Sequence, residues 1–307
     1  MTLQQLVSAE LAEPVNPRVS AIAEAIAAKY GPAARAILFY GSCLRETQLE
    51  GLMLDFYLIV SDYRAAFGKG WLAFANRMLP PNVFPFEHDG LIAKYAVLSE
   101  ADLARLASTE TRNVSVWARF AQPSRLIWIA DRTAGDRAVA AIAQAAPALI
   151  SAARPMLADA LSIEQLWGEA FALTYGAELR AERLTRAGSV VAADRERYRR
   201  FTGATLEAAG LAAAIAGDEV RFADRLPADV RKSGAALWRR RRREGKLLTL
   251  ARLAKASTTY AGGIDYLAWK INRHANTAIT IRPWQRRWPI LGAISLLPRL
   301  LMRGAVR

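Results

Sequence analysis

The sequence predicts an α+β protein in which a mixed sheet with flanking helices is followed by a mostly helical domain. Strand and helix patterns alternate up to about Ile129, whereas residues 136–215 are rich in Ala, Leu, Glu and Arg at helical spacing and carry almost no strand signal. At 307 residues the chain exceeds the usual size of one domain. We therefore place one domain at residues 1–135, a second at 136–280 and a tail at 281–307.

The first part of the chain predicts a helix followed by two strands. Apolar residues at helical spacing indicate a helix over Pro17–Tyr30, which Gly31-Pro32 ends. A short buried strand is expected at Ala36–Tyr40, and a turn follows it at Gly41-Ser42. The apolar run Met53–Val60 predicts the second strand.

The next segment predicts a helix, a hairpin and a second helix. Trp71–Met78 has a helical pattern. Val83–Phe86 and Leu91–Leu98 flank His88-Asp89-Gly90 as the two arms of a β-hairpin flank its turn. Ser99 is expected to cap the N-terminus of the helix that follows.

Basic residues are in excess, with 42 Lys+Arg against 28 Asp+Glu and a formal net charge of +14. Such an excess indicates an anionic partner, which is nucleic acid, an acidic lipid or a phosphate-rich substrate. The single cysteine, Cys43, excludes an internal disulfide and a thiolate zinc site, and this fits a reducing compartment. With only two histidines, histidine-rich metal chemistry is also disfavoured.

No targeting or membrane-spanning segment is expected. The stretch Met1–Pro14 contains Glu10 and Glu13 and no long apolar run, unlike a signal peptide or a transit sequence. No segment reaches the roughly 18 to 20 unbroken apolar residues of a transmembrane helix. We expect a soluble protein, or one that lies on a membrane without crossing it.

A Gly-Ser turn between two strands, with an aspartate on the second strand, resembles the opening of the nucleotidyltransferase fold. In that superfamily the turn, here Gly41-Ser42, holds the terminal phosphates of a nucleoside triphosphate through backbone N–H groups and a hydroxyl. A carboxylate on the next strand, here Asp55, holds Mg²⁺. The superfamily usually has a second aspartate two residues further on, where this chain has Tyr57.

Two motifs make the resemblance more specific. Tyr40-Gly41-Ser42 and Met53-Leu54-Asp55-Phe56 are similar to those of the mitochondrial-type phosphatidate cytidylyltransferases, the translocator assembly and maintenance family. The single aspartate is this family's own pattern. Further blocks follow in the same order at Gly90–Ser99, at Arg119 with Pro123, and at Glu169 to Arg180. Beyond Arg180 the likeness thins, and only Lys255–Thr258 loosely matches a family block.

The resemblance implies transfer of a cytidylyl group from CTP to phosphatidate, which gives CDP-diacylglycerol and pyrophosphate, with Mg²⁺ as cofactor. It also implies a nucleotidyltransferase domain followed by a mostly helical, winged-helix-like domain. The residues that we assign on this basis are Tyr40, Gly41, Ser42 and Lys94 for CTP, Asp55, Lys94 and Ser42 for catalysis, Asp55 for the metal, and Tyr175, Glu178 and Arg180 for the substrate phosphate. Glu87 is added as a candidate for a second metal ligand from its place in the sequence, not from the resemblance.

Three charged residues near the expected site also have structural interpretations. Lys94 suits a phosphate of CTP if it lies opposite Asp55, and it equally suits an exposed lysine on an edge strand. Glu87 and Asp89 fit turn residues, and either one is a candidate for the second metal carboxylate that the chain lacks at Tyr57.

The block around residue 178 and the single cysteine are open to structural interpretations too. Tyr175, Glu178 and Arg180 fit a network at a helix end as well as a phosphate site, since a guanidinium suits bidentate phosphate contact. Cys43, although it lies beside Ser42, is expected to be a small packed side chain rather than a nucleophile.

The C-terminal tail has the composition of a segment that docks on a membrane. Trp284 and Trp288 fall one helical turn apart, and Arg286 and Arg287 lie between them. Tryptophan favours the bilayer interface and arginine attracts anionic headgroups. The alternative is that this apolar stripe packs on the protein's own core. Three prolines in the tail predict short interfacial segments rather than one long helix.

Two rival functions remain at this point. One is a nucleotidyltransferase that acts on a different phospholipid or on an isoprenoid phosphate. The other is a nucleic-acid-binding protein that uses the run Arg239–Arg243, which also fits a solvated helix face. If the protein is a phosphatidate cytidylyltransferase, its partners are CTP, phosphatidate and an anionic membrane surface, with no nucleic acid. We then expect a cytoplasmic protein, peripheral on the inner face of a bacterium-like cell's membrane.

Overall fold

The computed structural model describes residues 1–46, 48–178, 190–259 and 280–287. Helices and strands alternate in the first half, in the order α1 (Leu3–Leu11), α2 (Pro17–Tyr30), β1 (Ala34–Tyr40), β2 (Met53–Val60), α3 (Tyr63–Ala66), α4 (Gly70–Met78), β3 (Asn82–His88), β4 (Leu91–Ser99), α5 (Glu100–Leu106), α6 (Ser115–Phe120) and β5 (Ser124–Ile129). Helices dominate thereafter, with α7 (Arg132–Ala143), α8 (Ala145–Ala153), β6 (Ala160–Ser162), α9 (Ile163–Tyr175), α10 (Arg195–Ala208), β7 (Ala213–Ala216), β8 (Glu219–Phe222), α11 (Ala228–Thr259) and α12 (Pro283–Arg287).

A five-stranded mixed sheet forms the centre of the first half, in the order β3-β4-β2-β1-β5. Strands β2 and β4 run parallel, and the other neighbours are antiparallel. The expected hairpin joins β3 to β4, with Asp89 and Gly90 at φ 48° and 71° as a two-residue turn requires. A mixed sheet with flanking helices is thus confirmed.

Each face of this sheet covers its own hydrophobic core, because successive side chains of a strand point to opposite faces. Phe39, Phe56 and Tyr95 pack on the face that α2 covers. On the other face, Leu38 and Tyr57 join a larger core with helices from the second half of the chain. Asp55 is two residues before Tyr57 on the same strand, so its side chain lies on the same face, toward the later helices.

Several local predictions are confirmed in detail. Helix α2 begins at Pro17, where the Asn16 side chain accepts from the backbone N–H of Arg18, and ends at Gly31 with φ 52°. Ser99 caps α5, with its hydroxyl accepting from the N–H of Asp102 at 3.1 Å. Strand β2 spans the expected residues.

The second half contains a small sheet where the sequence predicts almost no strand. Strands β6, β8 and β7 form a three-stranded antiparallel sheet. Its strands have three or four residues each, and β7 consists of three alanines and Ile215, a composition that favours a helix. The turn at Gly217, with φ 59°, and pairing with β8 override that preference.

Helix α7 crosses the boundary that the sequence predicts at residue 135. Asp131 caps it by accepting from the N–H of Ala134 at 2.8 Å. The helix packs against α1, α5 and β1, all of them in the first half. None of the described helices is long and apolar enough to cross a membrane.

The long helix α11 turns one face toward the rest of the protein along most of its length. Positions spaced three or four residues apart meet other elements, which places them on one stripe. The Trp238 indole N–H donates to the carbonyl of Ala152 at 2.9 Å. Near the C-terminal end of the helix, Arg252 and Lys255 contact the segment before β3.

The arginine run Arg239–Arg243 lies on this helix and is only partly solvated. Arg241 is buried, with its guanidinium carbon 4.9 Å from the ring centroid of Trp238 and 5.9 Å from that of Trp117. Arg240 pairs with Glu244, with Nε 2.6 Å from Oε1. Two arginines of the run therefore serve packing and pairing within the protein.

Candidate nucleotide-binding site

Tyr40, Asp55 and Lys94 form one row across three adjacent strands. Tyr40 of β1 pairs with Asp55 of β2, and Asp55 pairs with Lys94 of β4. Lys94 Nζ lies 2.9 Å from Asp55 Oδ1, and each of the two side chains keeps about a quarter of its surface exposed. Lys94 is therefore on an interior strand beside the aspartate, and its interpretation as an edge-strand lysine does not hold.

Gly41 brings the backbone of the turn against Asp55. Its φ of 99° lies in the left-handed half of the φ range, which favours glycine. A β-carbon at this residue would lie 3.4 Å from Asp55 Oδ2. Ser42 follows as an exposed residue and opens the short 3₁₀ turn Ser42–Arg45. The turn and the carboxylate thus face each other in close contact.

Asp55 offers carboxylate oxygens, the kind of ligand that a hard cation prefers. Its Oδ1 is buried and, among the described residues, has no hydrogen-bond partner, but the Lys94 ammonium faces it at 2.9 Å. A buried carboxylate oxygen without a hydrogen-bond donor is costly unless a cation faces it, and here Lys94 is that cation. The described residues contain no group of three or more His, Cys, Asp and Glu that could hold a metal. The residues around Asp55 therefore fit Mg²⁺ only if one protein carboxylate and the phosphates of a substrate bind the ion together.

Arg119 adds a second positive charge above the row. Its guanidinium carbon lies 4.9 Å from the ring centroid of Tyr40. Burial lowers the pKa of the Arg119 guanidinium. The neighbouring groups raise this pKa by more than burial lowers it, so the net shift is upward; they are Tyr40, Tyr57, Asp55 and Glu178. The guanidinium is thus a permanent charge at a fixed place.

Arg252 comes from the distant helix α11 and lies near Tyr57 and Glu178. Nε donates to the Pro80 carbonyl at 2.9 Å, and Nη1 donates to the Ser115 hydroxyl at 2.8 Å. Burial lowers the pKa of Arg252, whereas Tyr57 and Glu178 act in the opposite direction. Glu178 lies close enough to influence both Arg119 and Arg252.

Lys255 lies one turn beyond Arg252 on the same helix. Its ammonium donates to the carbonyls of Leu79 and of Pro81, the latter at 2.8 Å. Burial, and after it the charge of Arg252, lowers the pKa of Lys255 to about 7. Lys94, Arg119, Arg252 and Lys255 give this region four basic side chains beside the carboxylates of Asp55 and Glu178.

Comparison of the sequence with protein-family models and with curated proteins gives no match. What these residues do must therefore be inferred from their arrangement and their chemistry. A glycine turn against a carboxylate, beside an excess of positive charge, suits a ligand that carries several phosphates.

Other predicted site residues lie further from this row. Glu87 is exposed on β3 and pairs with Ile92, which in turn pairs with Met53, so Glu87 is two strands away from β2. Its assignment as a metal ligand stays a prediction. Asp89 is the exposed first residue of the hairpin turn, 3.8 Å from Arg18 Nε.

The predicted phosphate site near residue 178 is only partly described. Tyr175 is the last residue of α9 and is buried in the larger core. Glu178 belongs to the charged group around Arg119 and Arg252, where a carboxylate orients guanidinium groups and does not itself attract phosphate. Arg180 lies outside the described residues.

Cys43 is buried and packed, as the sequence predicts. Its Sγ donates to the Met53 carbonyl at 3.5 Å. Burial raises the pKa of the thiol, and the nearby charge of Asp55 raises it further. Because the thiolate is the reactive form, these shifts disfavour a nucleophilic role.

The predicted membrane tail is described only at its start. Trp284 lies in α12 with 44% of its surface exposed, and Gln285 beside it is buried. Arg286 and Arg287 belong to the same short helix. Trp288 and the rest of the tail lie outside the described residues.

Arg252 is the site residue that the sequence analysis misses. It lies 197 positions after Asp55 along the chain, outside every family-like block. A signal is nonetheless present, because Trp238, Arg241, Gly245 and Arg252 recur at spacings that place them on one helix face. That periodicity marks the face that turns inward.

Proposed function

We propose that the protein is a phosphatidate cytidylyltransferase that makes CDP-diacylglycerol and pyrophosphate from CTP and phosphatidate. The observation that carries the proposal is the close approach of the Gly41 turn to the Asp55 carboxylate, with Lys94 2.9 Å from the same carboxylate. The resemblance of Tyr40-Gly41-Ser42 and the Asp55 block to that family supports it.

In this proposal the turn and the row bind the triphosphate of CTP. Backbone N–H groups of the turn and the Ser42 hydroxyl donate to phosphate oxygens. Asp55 would hold Mg²⁺, which when bound neutralises charge on the triphosphate and on the leaving pyrophosphate. Lys94 adds a positive charge beside Asp55, and the ring of Tyr40 is held by Arg119.

The acceptor phosphate would lie near Arg119 and Arg252. A phosphate oxygen of phosphatidate is already an anion near neutral pH, so the step needs no strong general base. That oxygen forms a bond to the α-phosphorus of CTP while the bond from this phosphorus to the bridging oxygen breaks, and the electron pair leaves with pyrophosphate. The protein's role is to align the two anions and to offset their repulsion.

A finer assignment of the fold belongs to the same proposal. The opening α2, β1, turn and β2 would be the start of a nucleotidyltransferase domain. The small sheet of β6, β8 and β7, which packs with α9, would be part of a winged-helix-like domain. The proposed second domain would then supply Glu178 and Arg252 to the site.

The test is a transfer assay on purified full-length protein with Mg²⁺, each labelled nucleoside triphosphate in turn, and a panel of lipid phosphates. We expect the label of CTP alone to enter a lipid, with phosphatidate as the preferred acceptor. Asp55→Asn should abolish transfer, whereas Asp136→Asn, which changes an exposed aspartate in the same way, should not. Full activity of folded Asp55→Asn would contradict the proposal.

The same panel separates the closest rival. A cluster of basic side chains binds any phosphomonoester, so a different phospholipid or an isoprenoid phosphate is the alternative acceptor. If the enzyme prefers one of these acceptors over phosphatidate, the proposed nucleotide site stands and the proposed acceptor is wrong. Absence of transfer with every nucleotide and acceptor would remove the proposed activity.

A further inference from the structure

Helix α4 presents three large apolar side chains to solvent. Trp71, Phe74 and Met78 are 51%, 67% and 67% exposed. Their spacing of three and four residues places them along one face of the helix. Exposed apolar residues are usually scattered singly, whereas a contiguous group of this kind marks an interaction surface.

The opposite face of α4 is fixed to the sheet, so the exposed face cannot turn inward. The Asn76 side chain is buried and donates to the carbonyl of Val97 in β4 at 2.9 Å. Asn82 at the start of β3 donates to the carbonyl of Leu72 at 3.1 Å. The apolar face is therefore held outward by hydrogen bonds on its other side.

Basic residues lie near this face along the chain. Arg64 of α3, Lys69 before α4 and Arg77 within it are all exposed, and α4 contains no acidic residue. The nearby carboxylate of Asp62 is engaged as the N-cap of α3, where it accepts from the N–H groups of Arg64 and Ala65. Such a face is complementary to a surface that is both apolar and anionic.

The segment that follows α4 connects this helix to two basic residues of the candidate site. Chain residues 79–81, which follow α4 directly, accept hydrogen bonds through their carbonyls from Arg252 and Lys255. The C-terminal end of α4 thus adjoins a segment that Arg252 and Lys255 contact, although the helix itself packs on the α2 side of the sheet.

We propose that the exposed face of α4 docks on an anionic lipid bilayer. Trp71 and Phe74 suit the interfacial region of a bilayer, and the flanking Arg64, Lys69 and Arg77 suit its anionic headgroups. A second copy of the chain would bring these same positive charges together, which opposes self-association. The bilayer role deepens the proposed function, because it brings the protein to the surface that holds its lipid substrate, although docking itself requires no turnover.

Sedimentation of full-length protein with lipid vesicles, without nucleotide, tests this docking separately from the activity. One vesicle set is phosphatidylcholine alone, and the other is an equimolar mixture with phosphatidylglycerol. We expect binding to the anionic set, and a loss on the order of tenfold to a hundredfold when Trp71, Phe74 and Met78 are all changed to Ser. A matched variant with Ile215, Val230 and Leu247 changed to Ser, each also exposed, should bind as the wild type does.

Two further measurements distinguish the bilayer from two other partners of this face, a second copy of the chain and the chain's own tail. If the folded variant with Ser at residues 71, 74 and 78 sediments with anionic vesicles as the wild type does, the proposal is overturned. It is also overturned if that variant changes the oligomeric state of the protein, since the face would then bind a second copy. Deletion of residues 288–307 tests whether the chain's own tail covers the face. Continued dependence of vesicle binding on α4 in the deleted protein supports the proposal, and loss of that dependence contradicts it.

Discussion

A β-carbon at Gly245 would lie only 2.1 Å from the carbonyl oxygen of Ala177. The backbone of α11 is thus in direct contact with the end of α9, at the residue before Glu178. This contact holds Glu178, which follows α9, and Arg252 of α11 in one charged group. No side chain larger than hydrogen fits at residue 245 without separating the two helices.

Gly245→Ala should therefore damage the protein although alanine favours helices. We expect a loss of roughly 1–3 kcal/mol in the free energy of unfolding, because the overpacked contact must open. Transfer activity should fall as well. Urea denaturation measures the stability, and Gly168→Ala is the matched control, since a β-carbon in the middle of α9 meets no atom within 4 Å. The control should be neutral or more stable by up to about 1 kcal/mol.

Gly41→Ala should abolish nucleotide binding. The substitution strains a backbone with φ 99° and places a methyl group 3.4 Å from Asp55 Oδ2, where the phosphates would enter. Titration calorimetry with CTP and Mg²⁺ measures the effect. Gly51→Ala imposes a similar strain, with φ 73°, but meets no atom within 4 Å. Equal loss of binding in the two variants would show that strain alone is responsible.

Arg119→Lys keeps a positive charge and removes the flat guanidinium above Tyr40. Lysine cannot stack on the ring or make bidentate phosphate contacts, so we expect kcat/KM to fall by about tenfold or more. Steady-state kinetics with CTP and acceptor varied separately show which substrate is affected. Arg137→Lys, at an exposed arginine on α7, serves as the control and should leave both constants unchanged.

Lys255 should make stability depend on pH in a defined window. Its pKa is lowered from 10.5 to about 7, so between these values the unfolded chain binds more protons than the folded one. Stability from this group therefore rises with pH across the window, by at most about 1.4 kcal/mol per pH unit, and the cost of burying the charge is fully present below pH 7.

Urea denaturation of wild type and Lys255→Met at about pH 7 and pH 9 isolates the contribution of this lysine. The wild type should gain stability over that range relative to the variant, because methionine fills the space and does not titrate. Parallel pH dependence of the two proteins would place the pKa of Lys255 near its ordinary value.

The sequence predicts the row around Asp55 well because its parts are local. Strands β1, β2 and β4 carry strong apolar patterns, and Asp55 and Lys94 then meet by strand pairing. The charged group around Arg252 is not predictable in the same way. Its position depends on how α11 packs against residues more than a hundred positions earlier, and the alanine-rich β7 shows that tertiary pairing also overrides local preference.

Helix α11 also determines when the site can form during synthesis of the protein. Arg252 contacts the Pro80 carbonyl across 172 residues of chain, whereas Asp55 and Lys94 lie on strands that leave the ribosome before α11. Because domains fold from the N-terminus during synthesis, the Asp55 row can form while the chain is still growing. The complete basic group cannot exist until α11 has left the ribosomal tunnel, so the nascent chain carries half a site until then.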